Sequence, residues 1–361
     1  VQVIQYLREN TTIPVPNIQF WGTTEDSPRQ LGPFIIMDFV EGARLSRYLR
    51  QPTDDDGEPA VLNPHLQEAT LDIVYEQIAG YMLQMSRHKF PKIGAIARTC
   101  GEGRRWDVSG RPLTLNTNIL ATAAGCPVNQ SSTDFFEEIT RQHLVHFEAQ
   151  QNLADDEDDA KRRFAARHRF KQLMSQYCQK PDDQDFRLFC DDMQPSNMLI
   201  DPATLRIAAV LDYEFTKNMP AQFAHDPPSW LLLRHPGVCI GEEGIDDFVK
   251  NYTPRLEQFL RATERAEDKV GSMSTTGPLL LIRMQEAWDS KQFWFKYALR
   301  RCLDVDAVYW AVLHKSDDGD GSSLLDLATR ETLPQVVQRK MEQLKDYEDE
   351  HSGLFSHGSS A

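Results

Sequence analysis

The chain has 361 residues, of which 40% are hydrophobic and 9% aromatic, the make-up of a folded soluble protein with one large or two ordinary domains. Lys and Arg number 39 against 54 Asp and Glu, and the resulting charge of −15 repels nucleic acid and anionic lipid, so neither is favoured as a partner. The cysteines (Cys100, Cys126, Cys178, Cys190, Cys239, Cys302) are scattered without a C-x-x-C pair, which excludes a disulfide frame or zinc knuckle and implies a reducing, cytoplasmic location.

VQVIQYLREN has neither signal-peptide nor transit-peptide character and no initiator Met, as expected of a chain that starts partway through a longer reading frame. No apolar run approaches the ~20 residues of a membrane helix. Val1, Val3, Ile4 and Leu7 recur at helical spacing until Pro14 and Pro16 break it, so a short amphipathic helix opens the chain and NIQFWG follows as a strand. Residues 33–40 predict a second strand, FIIMDFV, ending at Glu41-Gly42. Helices are expected over 65–88, 132–150 and 160–176, with a hairpin in KIGAIARTCGEGRRWDVSGRPLT between the first two. Further helices are expected at 244–267, 279–303, 305–313 and 333–347, the last with Pro334 in its first turn, and a disordered tail at 351–361.

Three conspicuous features read as structure. DDEDD at 155–159 precedes a basic run, and Asp158/Arg162 and Asp159/Arg163 have the i,i+4 spacing of any solvated helix. His143 and His146 lie one turn apart without a third ligand nearby. SDDGDG at 316–321 fails as a calcium loop because Ser316 and Leu327 stand where acids are required.

FCDDMQPSNMLIDPATLRIAAVLDYEF at 189–215 is different. MLID and LRIAAVL are apolar runs joined by the turn DPAT, a hairpin that gathers Asp192 and Asn197 before its first strand and Asp212 after its second at one end. Two oxygen donors from different loops suit a hard cation such as Mg²⁺, which completes its shell with phosphate oxygens. Asp192 is then placed to take a proton from a substrate hydroxyl.

At these residues the chain resembles the aminoglycoside phosphotransferase family, relatives of choline kinase in the protein-kinase-like superfamily, whose pattern is H-G-D-x-H-P-x-N followed by I-D-W/Y-E. The resemblance, strongest to a fungal branch, implies an α+β kinase-like fold. A remnant N-terminal lobe would occupy residues 1–43, and a large, mostly helical lobe with the catalytic hairpin residues 44–350. It implies Asp192 as catalytic base, Asn197 and Asp212 as Mg²⁺ ligands, and ATP as donor to a hydroxyl of a small molecule. FIIMDFVEG resembles the hinge that lies along adenine, with Met37 as gatekeeper and the Asp38 carbonyl and Val40 N–H on the base edge. Asp226, in AHDPPSW, resembles the aspartate that anchors the catalytic loop from the following helix.

The departures are specific. Cys190 and Asp191 stand where the family has His and Gly, and Gln194 replaces the second His. The first Gly is Gly22 and the first Lys is Lys89, so the Gly-rich loop and phosphate-binding Lys do not precede the hinge, and Glu9 is a poor substitute for the Glu that would hold that Lys. An active enzyme seen as a truncated chain and a non-catalytic interaction protein both fit. The survival of Asp192, Asn197 and Asp212 together favours the enzyme.

Overall fold

The computed structural model describes residues 1–55, 57–99, 105–119, 131–178, 185–270, 279–315 and 319–355. The chain mixes many helices with small antiparallel sheets, in two compact units. One unit holds residues 1–114, 127–132 and 181–293, and the other 115–126, 133–180 and 294–361.

The elements in chain order begin with α1 (Gln2–Asn10), β1 (Ile18–Gly22), β2 (Phe34–Met37), β3 (Ala43–Arg44), α2 (Leu45–Leu49) and α3 (Glu68–Ser86). Next come β4 (Ala95–Arg98), β5 (Trp106–Gly110), α4 (Leu115–Ile119), α5 (Ser132–Ala149), α6 (Glu157–Gln172) and α7 (Met174–Tyr177). The strands β6 (Phe186–Cys190), β7 (Met198–Asp201), β8 (Arg206–Val210) and β9 (Thr216–Pro220) follow. The chain continues through α8 (Pro236–Glu243), α9 (Ile245–Val270), α10 (Leu280–Asp289), α11 (Gln292–Arg300), α12 (Val305–Val308) and α13 (Leu327–Phe355).

In the first unit, α1 forms where the sequence places it, burying Ile4, Tyr6 and Leu7. The expected strand at 33–40 stops at Met37, so Asp38 to Gly42 run outside regular structure. The β1–β2 ribbon is antiparallel, and its apolar side chains Phe20, Trp21, Ile35, Ile36 and Met37 are exposed. Gly42 is needed because a Cβ there would meet the Ile200 carbonyl and Leu199 Cβ, both at 3.1 Å, as the chain passes against β7. It then joins the sheet β3-β7-β8. The Val210 N–H, donating to the Pro14 carbonyl at 2.7 Å, ties the segment after α1 to β8.

The core of this unit is α3 against α9. Tyr75 meets Phe259 edge-on at 5.4 Å, and Gln258 Nε2 donates to the Glu68 carbonyl at 3.0 Å. The hairpin expected around 92–114 forms as β4–β5, although its turn residues 100–104 lie outside the described residues. The helix expected over 279–303 is two helices, because Lys291 takes a left-handed φ of 62° and breaks the hydrogen-bond ladder between α10 and α11.

In the second unit, Phe147 of α5 and Phe164 of α6 cluster with Leu325, just before α13, and Ala160 of α6 and Val337 of α13 cluster with Ala154, between α5 and α6. Helix α13 starts six residues before its expected position, which puts Pro334 inside it, and it runs on through His351 to Phe355. Residues 356–361 of the expected tail lie outside the described residues, as do 316–318 of SDDGDG. Of the expected i,i+4 pairs, Asp159–Arg163 forms at 2.7 Å. Asp158 instead pairs with Lys161, and the Arg162 guanidinium lies over the Trp310 ring. His143 and His146 are core groups. His143 Nε2 meets the Leu299 carbonyl at 3.0 Å, and His146 Nδ1 lies 3.2 Å from Arg167 Nη1.

Candidate active site

Two antiparallel pairs build the site. The hairpin β7–β8 forms as the sequence predicts, in the register Met198↔Val210. Around it, β6 and β9, which the sequence reading missed, pair from Phe186↔Pro220 to Cys190↔Thr216. The loop 191–197 leaves β6 and enters β7, while the segment 211–215 leaves β8 and enters β9. Both lie at the same end of the hairpin, and the Leu211 N–H donates to the Asn197 carbonyl at 2.8 Å to join them.

Asp192 is held by amides. Asn197 Nδ2 donates to Asp192 Oδ2 at 2.7 Å and to the Asp192 main-chain carbonyl at 2.9 Å. Gln194 Nε2 donates to Asp192 Oδ1 at 2.6 Å. The loop closes with the Gln194 N–H on the Asp192 carbonyl and the Asn197 N–H on the Gln194 carbonyl, each at 2.9 Å. With both donor contacts of Asn197 spent on Asp192, its Oδ1 is the atom left to accept or to ligate.

Asp212 adopts a left-handed φ of 58°, a conformation that Asp tolerates better than most side chains. From there burial alternates, with Asp212 and Glu214 exposed and Tyr213 and Phe215 buried, and a turn closes as the Thr216 N–H donates to the Tyr213 carbonyl at 3.1 Å. Desolvation first, then the charges of Asp212 and Asp192, raise the Glu214 carboxyl above its ordinary pKa. The three carboxylates therefore share one field. Glu214 was not singled out from the sequence, although the alternation of D-Y-E carries the signal.

These side chains offer hard oxygen donors, a carboxylate on Asp212 and an amide oxygen on Asn197, in a field that an added cation would relieve, and they fit Mg²⁺. No group of three or more His, Cys, Asp or Glu arranged around a metal occurs among the described residues. A bound phosphate would have to supply further ligands.

Cys190 is buried, and burial pushes its thiol up to about 11 against the opposing pull of the Thr216 hydroxyl. Asp191 forms a buried ion pair with Lys217, whose Nζ also donates to the Phe215 carbonyl at 3.2 Å. The sequence reading singled out neither role. Asp226 is buried in the turn after Ala221–Phe223, rather than on a helix, close enough to Tyr252 to help raise that hydroxyl's pKa.

Of the hinge residues, Met37 ends β2, paired with Ile18, and the Asp38 N–H donates to the Asn17 carbonyl at 2.9 Å. No hydrogen bond among the described residues reaches the Asp38 carbonyl or the Val40 N–H. Glu9 is engaged elsewhere: it pairs with Arg98 and accepts from Trp106 Nε1 at 3.1 Å, on the β4–β5 hairpin.

No protein-family model and no curated protein matches this chain. Among solved structures, a candidate aminoglycoside phosphotransferase from Ralstonia eutropha is similar over 95% of this chain and 82% of its own, with 15% identity and a TM-score of 0.43. A macrolide 2′-phosphotransferase from Brachybacterium faecium is similar over 87% of this chain and 79% of its own, with 11% identity and a TM-score of 0.35. At such values neither likeness assigns an activity to this chain.

Proposed function

We propose that the chain is a kinase-like phosphotransferase acting on a hydroxyl of a small molecule, with ATP as donor and Mg²⁺ as cofactor, in the cytoplasm. The observation that carries the reading is the junction of Asp192, Asn197 and Asp212 at one end of a buried hairpin, with Asn197 bonded to the Asp192 carboxylate.

Asp192 accepts the hydrogen of the acceptor hydroxyl and aligns its oxygen, while the amides of Asn197 and Gln194 keep the carboxylate in one orientation. Asn197 Oδ1 and the Asp212 carboxylate are the groups that would hold Mg²⁺. The bound ion would supply charge neutralisation at the phosphoryl oxygens. The backbone of Asp38 and Val40 offers an acceptor and a donor to an adenine edge.

The bare apolar side chains of β1–β2 favour a second reading, a non-catalytic interaction protein. Calorimetric titration with ATP, with and without Mg²⁺, separates the two. A phosphotransferase binds ATP at least tenfold more tightly with the cation, and Asp212→Ala loses that gain while keeping its circular dichroism spectrum. Cation-independent or absent ATP binding in the wild type favours the interaction protein, and undiminished turnover by Asp212→Ala sinks the metal assignment.

A further inference from the structure

The Asp191–Lys217 pair has both side chains buried, at 1% and 0% exposure, whereas the other ion pairs given for described residues of the first unit reach solvent. Sheet pairing brings them close: Lys217 on β9 lies opposite Phe189 on β6, and Asp191 is the first residue of the turn that follows β6. The Lys217 ammonium then contacts two loops at once. It pairs with the Asp191 carboxylate, one residue before Asp192, and donates to the carbonyl of Phe215, three residues after Asp212. The Asp191 N–H donates to that same Phe215 carbonyl at 3.3 Å.

From this geometry we infer that Lys217 is a positioning residue that staples the Asp192 loop to the Asp212–Glu214 segment and so sets the spacing between proton acceptor and cation ligand. The inference rests on the phosphotransferase reading for its purpose and on the contacts alone for its mechanics. A buried ammonium serves this role because its charge must be matched in place. Asp191 cannot move towards water without stranding Lys217, and the Phe215 carbonyl fixes where the match is made. Cys190 pairs in the sheet with Thr216.

The test uses the full chain, with Lys217→Met and the neutral double variant Asp191→Asn/Lys217→Met. Three readouts are taken: backbone hydrogen exchange, thermal midpoint, and Mn²⁺ binding followed by its electron paramagnetic resonance signal. Lys217→Met should speed exchange at least tenfold in both 191–197 and 211–216, leave 68–86 in α3 unchanged, and weaken Mn²⁺ at least tenfold. The double variant should recover the thermal midpoint, because no charge is left stranded, but not the Mn²⁺ affinity. If Lys217→Met does not fold, the double variant carries the comparison alone. Exchange unchanged in both loops, exchange accelerated uniformly through the unit, or full recovery of Mn²⁺ affinity in the double variant would overturn the inference. A wild type that binds no Mn²⁺ defeats the phosphotransferase reading instead, and the exchange pattern still decides whether the staple exists.

Discussion

Asn197 Nδ2 lies 2.7 Å from Asp192 Oδ2 and 2.9 Å from the Asp192 carbonyl, so one amide group fixes both the side chain and the backbone of the residue we propose as proton acceptor. Asn197→Ala removes this brace together with the proposed cation ligand. Mn²⁺ affinity should fall at least tenfold and turnover by about 10²-fold or more, with turnover lost even at saturating cation because Asp192 is no longer held. Full recovery of rate at high Mn²⁺ would show that Asn197 acts on the metal alone.

Asp192→Asn keeps the shape of the loop and removes the proposed proton acceptor. Its expected signature is a rate loss of about 10²- to 10⁴-fold, with Mg²⁺-dependent ATP binding within threefold of wild type. Calorimetry beside a single-turnover assay distinguishes this from a collapsed site, in which both would fall.

Val40→Pro tests the adenine edge, because it deletes the one main-chain donor assigned to the base while leaving the carbonyl of Asp38 in place. ATP affinity should drop by about tenfold, the worth of one hydrogen bond. Binding of inorganic triphosphate should not change. Equal losses for both ligands would remove Val40 from the base edge.

Acid sensitivity should come from the second unit. Burial and the neighbouring Arg167 lower His143 to about 3 and His146 to about 4. Below the unfolded value near 6.5 the unfolded chain takes up protons that the folded chain refuses, so stability falls as pH drops from about 6.5 towards 4. For fully buried His143 the slope is at most about 1.4 kcal/mol per pH unit. Urea titrations at pH 7, 6 and 5 read it. His143→Gln should lower stability at pH 7 yet flatten the decline, and an unchanged slope would place the acid sensitivity elsewhere.

Arg167 is fully buried, with Nε and Nη2 on the Asp306 carboxylate at 2.9–3.2 Å and Nη1 on the His143 carbonyl at 2.7 Å. Asp306→Asn leaves that guanidinium without its countercharge and should cost about 3–5 kcal/mol, seen as an early unfolding transition of the second unit in calorimetry. Retained stability would mean that water reaches the guanidinium.

What could be read from the sequence was local. The hairpin β7–β8 declared itself through two apolar runs and the turn between them, and α3 through a long helical period, because neighbouring residues carry those signals. The β6–β9 pairing was hidden. Its strands are far apart in the chain, and Thr216–Pro220 is buried at every position although it contains Lys, Asn and Pro, so neither alternation nor polarity marks it as a strand. Lys217 is the one lysine between Lys180 and Lys250, yet composition alone assigns a lysine to the surface. Only the tertiary partner, Asp191, explains its burial. The break at Lys291 was likewise invisible, since a left-handed residue inside an apolar helical period leaves no trace in the pattern.

The β1–β2 ribbon places the proposed adenine edge on a different thermal footing from the carboxylates. A two-stranded ribbon whose large apolar side chains are exposed has little burial of its own to resist opening, whereas β7 and β8 carry Met198, Ile200, Ile207, Ala209 and Val210 in the core. On heating, the hinge strip should loosen while the hairpin that carries Asn197 and Asp212 stays intact. Such a molecule would grow less selective among nucleotides some degrees before it lost its affinity for the cation.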